Sequence, residues 1–405
     1  MNDSSEPRGL KRRGRDIHEA HRVSTPLELL FDLTFVVAIS LAAAQLHHGL
    51  AEGHVLQVLP TFILVFFSIW WAWMNYSWFA SAYDNDDTLF RLLTMLQMVG
   101  VLVLATGIDG VFNGQWTTMV FGYVLMRVAL VVQWVRAGRG DPDSRATCFR
   151  YAKGIIAVQA FWVARLALPS EWLMSSAVFG IALELAVPAW AERAGQTPWH
   201  AHHIAERYGL MTIIVLGECV LGTANSIASV LQSEGWSWRL AAVGLGGLGL
   251  VLALWWTYFL LPSAEALHRH RERAWAWGYG HFFLFASVAA LGSGLEVVAD
   301  MLKTPLPGAN PGHGPTAMAT IVFLAVPLAI YVLALWLQWL WVTRALHRQT
   351  GMVLSCLGCF ALVVPAVALG LSLPLALPLL CVGPVLLIAY NEHGRKHCGE
   401  FFQVR

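Results

Sequence analysis

The sequence predicts an all-α polytopic membrane protein with about 12 transmembrane helices, arranged as two six-helix repeats of the same orientation. Hydrophobic residues make up 57% of the 405 residues. Charged residues make up 13%, about half the share that is usual for a soluble domain. The apolar residues form blocks of about 20, which is the length that crosses a bilayer as an α-helix. Segments of the first half also recur in the second half in the same order.

Twelve apolar blocks are predicted to cross the bilayer. They cover residues 27–48, 55–81, 88–108, 115–136, 146–168, 171–191, 204–231, 238–261, 275–300, 315–343, 352–370 and 373–390. Only a few residues separate the last two blocks, so a re-entrant hairpin is the alternative to two full crossings. The first block is longer than the apolar core of a signal peptide, and no small-residue cleavage site follows it. We therefore predict no cleaved signal peptide.

The distribution of basic residues predicts the orientation. All but four of the 26 Lys and Arg residues lie in the two tails or at the ends of blocks on one predicted side of the membrane. The four exceptions are Arg127, Arg165, Arg239 and Lys303. Cytoplasmic loops of membrane proteins are enriched in Lys and Arg, so both termini are predicted to be cytoplasmic. The net charge of +1 and the lack of a nucleic-acid motif predict no nucleic-acid partner.

Three pairs of similar segments predict an internal duplication. ELLFDLTFVVAISLA (28–42) aligns with ERYGLMTIIVLGECV (206–220), WWAWMNY from Trp70 with WWTYFLL from Trp255, and ALVVQW (129–134) with ALWLQW (334–339). Six helices per half is an even number, so the halves share one orientation. The chain then divides into a basic cytoplasmic N-terminal tail (1–26), a first six-helix repeat (27–191), a cytoplasmic linker (192–203), a second six-helix repeat (204–390) and a cytoplasmic C-terminal tail (391–405).

Charged residues deep in the apolar blocks are the first candidates for a functional site. Glu218 follows Glu206 by twelve residues, about 18 Å along a helix axis, so it should lie near the midplane. Glu184 and Arg127 are predicted to be about equally deep. Arg127 can pair with only one of the two glutamates, so at least one of them lacks a basic partner. Such an acid can exchange protons. We predict a substrate or ion pathway at Glu218, Glu184 and Arg127. The alternative is a static Arg–Glu pair with the other Glu protonated and hydrogen-bonded.

A second group of acids lies at the predicted cytoplasmic end of the helices. Glu28 and Asp32 are four residues apart and share one face of the first helix, and Glu206 is the repeat counterpart of Glu28. The free N–H groups at a helix N-terminus favour anions. We predict that these three acids cap their helices or form a cytoplasmic gate. The candidate partners of Glu28 and Asp32 are Arg22 and an Arg of another helix.

The remaining polar residues are given structural roles. His202, His203 and Glu206 have spacings that suit a metal on one helical face, but no further ligand is evident, so we predict no metal site and no cofactor. Asp87 is predicted to cap the third helix and to interact with Arg91. The remaining expectations concern packing: a hydrogen-bonded core position for His281, helix bridging by Gln97, Gln133, Gln159 and Gln338, and close helix approach at GLGGLGL (244–250) and GSG (292–294).

Three motifs resemble those of a known family. TPLELLFDLTFVVAIS, WWAWMNYSWFASAYDNDD and HHIAERYGLMTIIVLGECV are similar to segments of the bacterial low temperature requirement protein A (LtrA) family. The resemblance extends from about Thr25 to the eleventh or twelfth block, and Leu30 stands where Phe is expected. It implies a multi-pass protein of the bacterial inner membrane. The family name records a growth phenotype, so the resemblance supplies neither a substrate nor a catalytic residue.

Three functional classes remain open. Duplicated six-helix halves are common in secondary transporters, so we predict a secondary transporter or an ion or proton pathway that carries a small ion or charged metabolite across the lipid bilayer. The alternative is a membrane sensor or scaffold that supports growth in the cold without transport. The sequence has no HExxH, GxSxG or paired-aspartate motif, so a membrane-embedded enzyme is the class we predict least and we expect no catalytic residue. The oligomeric state is not predicted.

Overall fold

The structure, a computed structural model, describes residues 14–16, 19, 22–303, 314–343 and 350–398. In this part of the chain the regular structure is helical, without a β-strand. The α-helices are α1 (Pro26–Ala51), α2 (Val55–Tyr83), α3 (Thr88–Thr106), α4 (Ile108–Phe112), α5 (Thr117–Gly140), α6 (Arg145–Ala164), α7 (Ser170–Ala191), α8 (Ala201–Glu234), α9 (Trp238–Phe259), α10 (Ser263–Arg269), α11 (Ala274–Leu302), α12 (Ala317–Thr343), α13 (Thr350–Ala368) and α14 (Leu373–Cys398).

Eleven helices of the described chain are long and apolar enough to cross a membrane. All the long helices qualify except α6, which carries Arg145, Arg150 and Lys153 in its first half. The helices α13 and α14 both qualify, so each is long enough for a full crossing. The prediction of a helical multi-pass membrane protein is confirmed, whereas the twelfth crossing stays a prediction.

Local sequence explains where several helices begin. Thr25 and Glu28 form a capping box at the start of α1, because the Thr25 N–H donates to Glu28 Oε2 at 2.8 Å and the Glu28 N–H donates to Thr25 Oγ1 at 3.3 Å. Asp87 caps α3 by accepting from the Phe90 N–H, and Ser237 caps α9 in the same way. The capping predicted for Asp87 is therefore confirmed, and Glu28 takes part in the cap of α1, whereas a cytoplasmic gate at Glu28 stays a prediction.

Some predicted boundaries differ from the observed helices. The helix α14 continues to Cys398, beyond the predicted end of the last block at 390. The block was predicted from apolar residues alone, whereas the helix also includes the polar sequence NEHGRKH (391–397). Residues 304–313, between the predicted blocks 275–300 and 315–343, lie outside the described residues. So do the side chains of nine basic residues that entered the orientation argument: Arg8, Lys11, Arg12, Arg13, Arg344, Arg348, Arg395, Lys396 and Arg405.

The chain divides into two compact units. The first unit contains the residues up to Ala38 and Ser68–Ile204, and the second contains Ile39–Phe67 and the residues from Ala205 onwards. The helices α1 and α2 therefore each contribute one end to each unit. The sequence repeats (27–191 and 204–390) follow a different division, based on similarity, and they stay a prediction.

In the first unit, α5 packs against α3 and α6, and α6 packs against α7. The helices α3 and α5 approach closely because a Cβ on Gly122 would overlap the main chain of Leu104. Gln97 of α3 donates to Gln133 of α5 at 2.8 Å, which confirms helix bridging by these two residues. Large aromatic side chains, among them Trp71, Trp73 and Tyr76, are fully buried in this unit.

In the second unit, α11 packs against α12, α12 against α13, α13 against α14, and α14 against α9. The predicted close approach at the glycines is confirmed, since a Cβ on Gly246 would meet Leu377 of α14 at 2.5 Å. His281 is fully buried and is 3.0 Å from the Tyr258 hydroxyl and 3.2 Å from the Gln338 amide. It therefore occupies the hydrogen-bonded core position that was predicted.

Candidate functional site

Glu184 lies on α7 in the first unit, and its carboxylate is buried and surrounded by donors. Trp71 Nε1 donates to Oε2 at 2.9 Å. Three groups donate to Oε1: the Tyr123 hydroxyl at 2.9 Å, Trp162 Nε1 at 3.1 Å and Gln159 Nε2 at 3.2 Å. Both carboxylate oxygens are thus satisfied by side chains of α2, α5 and α6.

Arg127 supplies the charge that balances this carboxylate. Its Nη2 lies 3.6 Å from Glu184 Oε2 and donates to the Tyr123 hydroxyl at 2.5 Å. The Tyr123 hydroxyl therefore accepts from the cation and donates to the anion. Arg127 and Glu184 are each only 1% exposed, so water does not screen their attraction.

The Glu184 network matches the static alternative considered for the sequence. Removing one partner of a buried ion pair leaves the other charge uncompensated, which costs several kcal/mol. Hydrogen bonds to Glu184 from three neighbouring helices also hold these helices in one arrangement, although Arg127 Nε and Gln159 Oε1 have no hydrogen-bond partner among the described residues. The geometry thus favours a structural role for Arg127 and Glu184, and their participation in a pathway stays a prediction.

Glu218 has different surroundings in the second unit. It lies halfway along α8, it is only half-buried, and its Oε1 accepts a hydrogen bond from the Ser40 hydroxyl of α1. Within the described part of the chain, no Lys, Arg or His lies within ion-pair distance of its carboxylate. The backbone of α11 is close to it, because a Cβ on Gly292 would lie 2.7 Å from Glu218 Cβ.

Two further polar pairs follow Glu218 towards the C-terminal ends of α8 and α11. Asn225 Nδ2 donates to Glu296 Oε1 at 2.6 Å, and His47 Nε2 is 2.7 Å from Asp300 Oδ2. Asn225 is about 10 Å further along α8 than Glu218. The carboxylates of Glu218, Glu296 and Asp300 thus form a polar row, half-buried in the second unit.

Glu28 has charged neighbours as well as its capping role. Its Oε1 lies 3.1 Å from His203 Nε2, and Arg22 Nη2 lies 4.0 Å from it. The predicted pairing of Glu28 with Arg22 is therefore present. All three side chains are almost completely buried, so this end of the first unit holds a compact cluster of charged and titratable groups.

Arg22 also caps α2. Its guanidinium donates to the main-chain oxygens of Ala80, at 2.8 Å, and of Ser81, both in the last turn of that helix. Its Nη2 lies 3.9 Å from Asp84 Oδ2. Burial raises the pKa of Asp84 to about 6, and the nearby Glu28 carboxylate adds to this shift. Asp84 is therefore a candidate to titrate near neutral pH.

The structure places the other two predicted cytoplasmic acids differently. Asp32 is 1% exposed and accepts a hydrogen bond from Trp73 Nε1 at 2.7 Å, and its role as a cap or gate stays a prediction. Glu206 lies in the second turn of α8 and is half-buried. The structure thus brings Glu28, His203 and Arg22 together. It places Glu184 with Arg127 in a separate network.

A family model described as the bacterial low temperature requirement A protein (LtrA) matches residues 23–389, nearly the whole chain. The chain belongs to the bacterial low temperature requirement A (LtrA) family. This LtrA chain is 28% identical over 241 residues to the uncharacterized protein RA0937 of Rhizobium meliloti (strain 1021). The aligned segment covers 57% of this chain and 57% of that relative, so the LtrA chain spans little more than half of the relative's length.

One predicted ion pair of the LtrA chain is wrong. Arg91 pairs with Asp86, with Nη2 and Oδ2 2.6 Å apart, and Asp87 instead pairs with Arg136 of α5. The reason is that the Asp87 side chain is turned towards the N–H groups of α3 as a cap, and its second oxygen then faces α5. No group of three potential metal ligands occurs within the described ranges.

Sequence reasoning missed the aromatic donors of the Glu184 network and the continuation of the polar row from Glu218 to Glu296 and Asp300. The aromatic donors gave no signal because Trp and Tyr are frequent throughout this chain. Glu218 was predicted as a candidate site residue, but nothing in the sequence showed that α8 and α11 lie side by side. The signal that could have revealed the polar row is the presence of polar side chains at similar depth on different helices.

Proposed function

We propose that this LtrA protein is a secondary transporter or an ion or proton pathway, and that Glu218 binds and releases the proton or cation. The observation that carries the proposal is the contrast between the two mid-helix acids. Glu184 has an arginine and four hydrogen-bond donors, whereas Glu218 has one hydroxyl and no cation among the described residues.

The hydrogen bond from Ser40 suits a carboxyl group that changes its protonation state. A serine hydroxyl can donate to a carboxylate and can also turn to accept from a protonated carboxyl group. A carboxylate in an apolar region is costly unless a proton or another cation compensates its charge. Glu218 can therefore exchange a small cation without leaving a polar group unsatisfied in either state.

The polar row extends this site along the second unit. The Asn225–Glu296 and His47–Asp300 pairs follow Glu218 towards one end of α11. That end is the outer end in the predicted orientation, with both termini in the cytoplasm of a bacterium. We propose that the row is the outer half of the pathway and that a small cation is the transported or coupling species.

The repeat arrangement is part of this proposal. In the alignment of the two halves, Ser40 is the counterpart of Glu218, and the two residues, 178 positions apart, are hydrogen-bonded to each other. Transporters with internal repeats bind their substrates near the midplane where the repeats meet. The packing orders α3–α5–α6–α7 and α11–α12–α13–α14 also correspond. We propose that α6 is the twelfth crossing, with its basic residues at the cytoplasmic end.

The proposal is tested by proton flux into proteoliposomes that contain the full-length protein and a trapped pH indicator. A pH gradient is imposed, and wild type is compared with Glu218→Gln and with Glu234→Gln. Glu234 is the matched control, because it lies at the end of the same helix in an ion pair with Arg239. We expect flux in wild type and Glu234→Gln, and flux at the level of empty liposomes in Glu218→Gln.

A second measurement covers transport that is tightly coupled to an unknown substrate. Dicyclohexylcarbodiimide reacts with protonated carboxyl groups in apolar surroundings, and mass spectrometry locates the modified residue. We expect pH-dependent labelling of Glu218 and none of Glu184. A folded Glu218→Gln protein with wild-type flux would contradict the proposal. A wild-type protein that shows neither proton flux nor labelling of Glu218 would also contradict the proposal. The sensor or scaffold alternative would then be favoured. Turnover without a gradient would favour an enzyme.

A further inference from the structure

Arg165 is a buried arginine with no acidic partner among the residues that the structure describes. It lies directly after α6, and it is 1% exposed. Its Nε donates to Ser176 Oγ at 3.1 Å, and its Nη2 donates to the main-chain oxygen of Leu173. The centres of the Trp116 and Trp162 rings are 4.6 and 5.1 Å from its guanidinium carbon. Among the described residues, Nη1 has no hydrogen-bond partner and no carboxylate lies within ion-pair distance.

This arrangement differs from that of the other buried arginines in the first unit. Arg127 faces Glu184, and Arg22 faces Glu28. A guanidinium is not deprotonated in proteins, so Arg165 is cationic at neutral pH. A buried cation with no counter-ion is costly, and the two indole rings offset only part of that cost. The surroundings of Arg165 therefore favour an anion.

A cavity of about 460 Å³ lies in the same unit, and residues that contact Arg165 form part of its wall, although Arg165 itself does not line it. Trp116 and Leu173, which contact Arg165, form part of the cavity wall. Thr117 and Thr118 line it too, and they occupy the first turn of the 24-residue helix α5. The first N–H groups of a helix have no partner within the helix and attract anions.

We propose that this cavity binds a phosphate group, either as free phosphate or as the headgroup of an anionic lipid. Arg165 supplies the positive charge from behind Trp116 and Leu173, and its field is strong because the guanidinium is buried and water does not screen it. The N-terminus of α5, with the hydroxyls of Thr117 and Thr118, supplies hydrogen-bond donors. Asp109 is an exposed acid on the same wall, and it weakens the attraction for the anion. This proposal is independent of the proposed transport function.

The test is thermal unfolding of the purified full-length protein with increasing sodium phosphate, against sodium chloride of equal ionic strength. A ligand that binds the folded state raises the unfolding temperature in a saturable way. We expect this rise with phosphate for wild type and its loss in Arg165→Gln. The matched control is Arg239→Gln, because Arg239 is an exposed arginine of the same predicted side. It should keep the phosphate effect.

Without phosphate, Arg165→Gln should be no less stable than wild type, since it removes an uncompensated buried charge. Two variants that leave Arg165 in place provide an independent test. Thr118→Val should require more phosphate for the same rise, and Asp109→Asn should require less. Repeating the titration in nanodiscs distinguishes the sources: phosphatidylglycerol, but not phosphatidylcholine, suppresses the phosphate effect if a lipid headgroup occupies the cavity.

Two results would overturn the proposal. One is an equal rise of the unfolding temperature with chloride and phosphate. The other is an Arg165→Gln protein that is strongly destabilised without phosphate, together with an unchanged phosphate response in Thr118→Val and Asp109→Asn. Arg165 would then be a purely structural residue, held by its two hydrogen bonds and the two indole rings.

Discussion

Substitution of Glu184 by glutamine tests whether the network around it holds the first unit together. The substitution keeps the size of the side chain and removes its negative charge. Arg127, 3.6 Å away and 1% exposed, then becomes a buried cation without a counter-ion. The new amide has one oxygen in place of two, so the four donors from Trp71, Tyr123, Gln159 and Trp162 compete for it.

The expected loss of stability follows from these two effects. Breaking a buried ion pair by removing one partner costs about 3–5 kcal/mol. At least one donor also loses its acceptor, which costs about 1–3 kcal/mol. We expect Glu184→Gln to lower the free energy of unfolding by about 4 kcal/mol or more, a large part of the roughly 5–15 kcal/mol of a typical protein. The second substitution Arg127→Met removes the uncompensated charge, so the double variant should be more stable than Glu184→Gln alone.

The assay is equilibrium unfolding in mixed micelles of a mild detergent and dodecyl sulfate, followed by far-ultraviolet circular dichroism. The four proteins are wild type, Glu184→Gln, Arg127→Met and the double variant, which form a double-mutant cycle. Glu218→Gln is the comparison, because Glu218 has no cation to leave unpaired and should remain folded. If Glu184→Gln loses less than about 1 kcal/mol and the two single changes are additive, the pair does not contribute as argued.

Two further changes are predicted. The pKa of Asp84 is about 6 in the folded protein and 3.8 in the unfolded chain. Between these pH values the folded state binds more protons than the unfolded state, so the stability falls as pH rises from about 4 to 6. The loss of stability is at most about 3 kcal/mol. In a plot of unfolding temperature against pH, Asp84→Asn should flatten the curve between about pH 4 and 6. A curve for Asp84→Asn parallel to that of wild type would refute the assignment. Gly292→Ala would place a Cβ 2.7 Å from Glu218 Cβ and should cost about 1–3 kcal/mol in the same unfolding assay. Gly358→Ala, with nothing within 4 Å of its added Cβ, should cost nothing, so equal losses in the two variants would contradict the packing argument.

The sequence alone determined the class of the protein and several helix ends. Long apolar blocks predict membrane helices because backbone N–H and C=O groups in lipid must be satisfied within the segment itself. The eleven candidate spans correspond to that pattern. Thr25 with Glu28, and Asp87, could be identified as caps because a cap bonds to N–H groups only a few residues away.

Only the tertiary structure decided which charges meet. The sequence placed Arg127, Glu184 and Glu218 at similar depth, and one arginine could pair with only one of the two acids. The packing of α5, α6 and α7 brings Arg127 and Glu184 together. It places Arg165 against two indole rings, with no acid of the described chain within ion-pair distance. Such pairs join residues tens of positions apart, so they depend on how each helix is rotated and on which neighbour it packs against. Hydropathy fixes which segments are buried in the membrane, but it carries no information on that rotation.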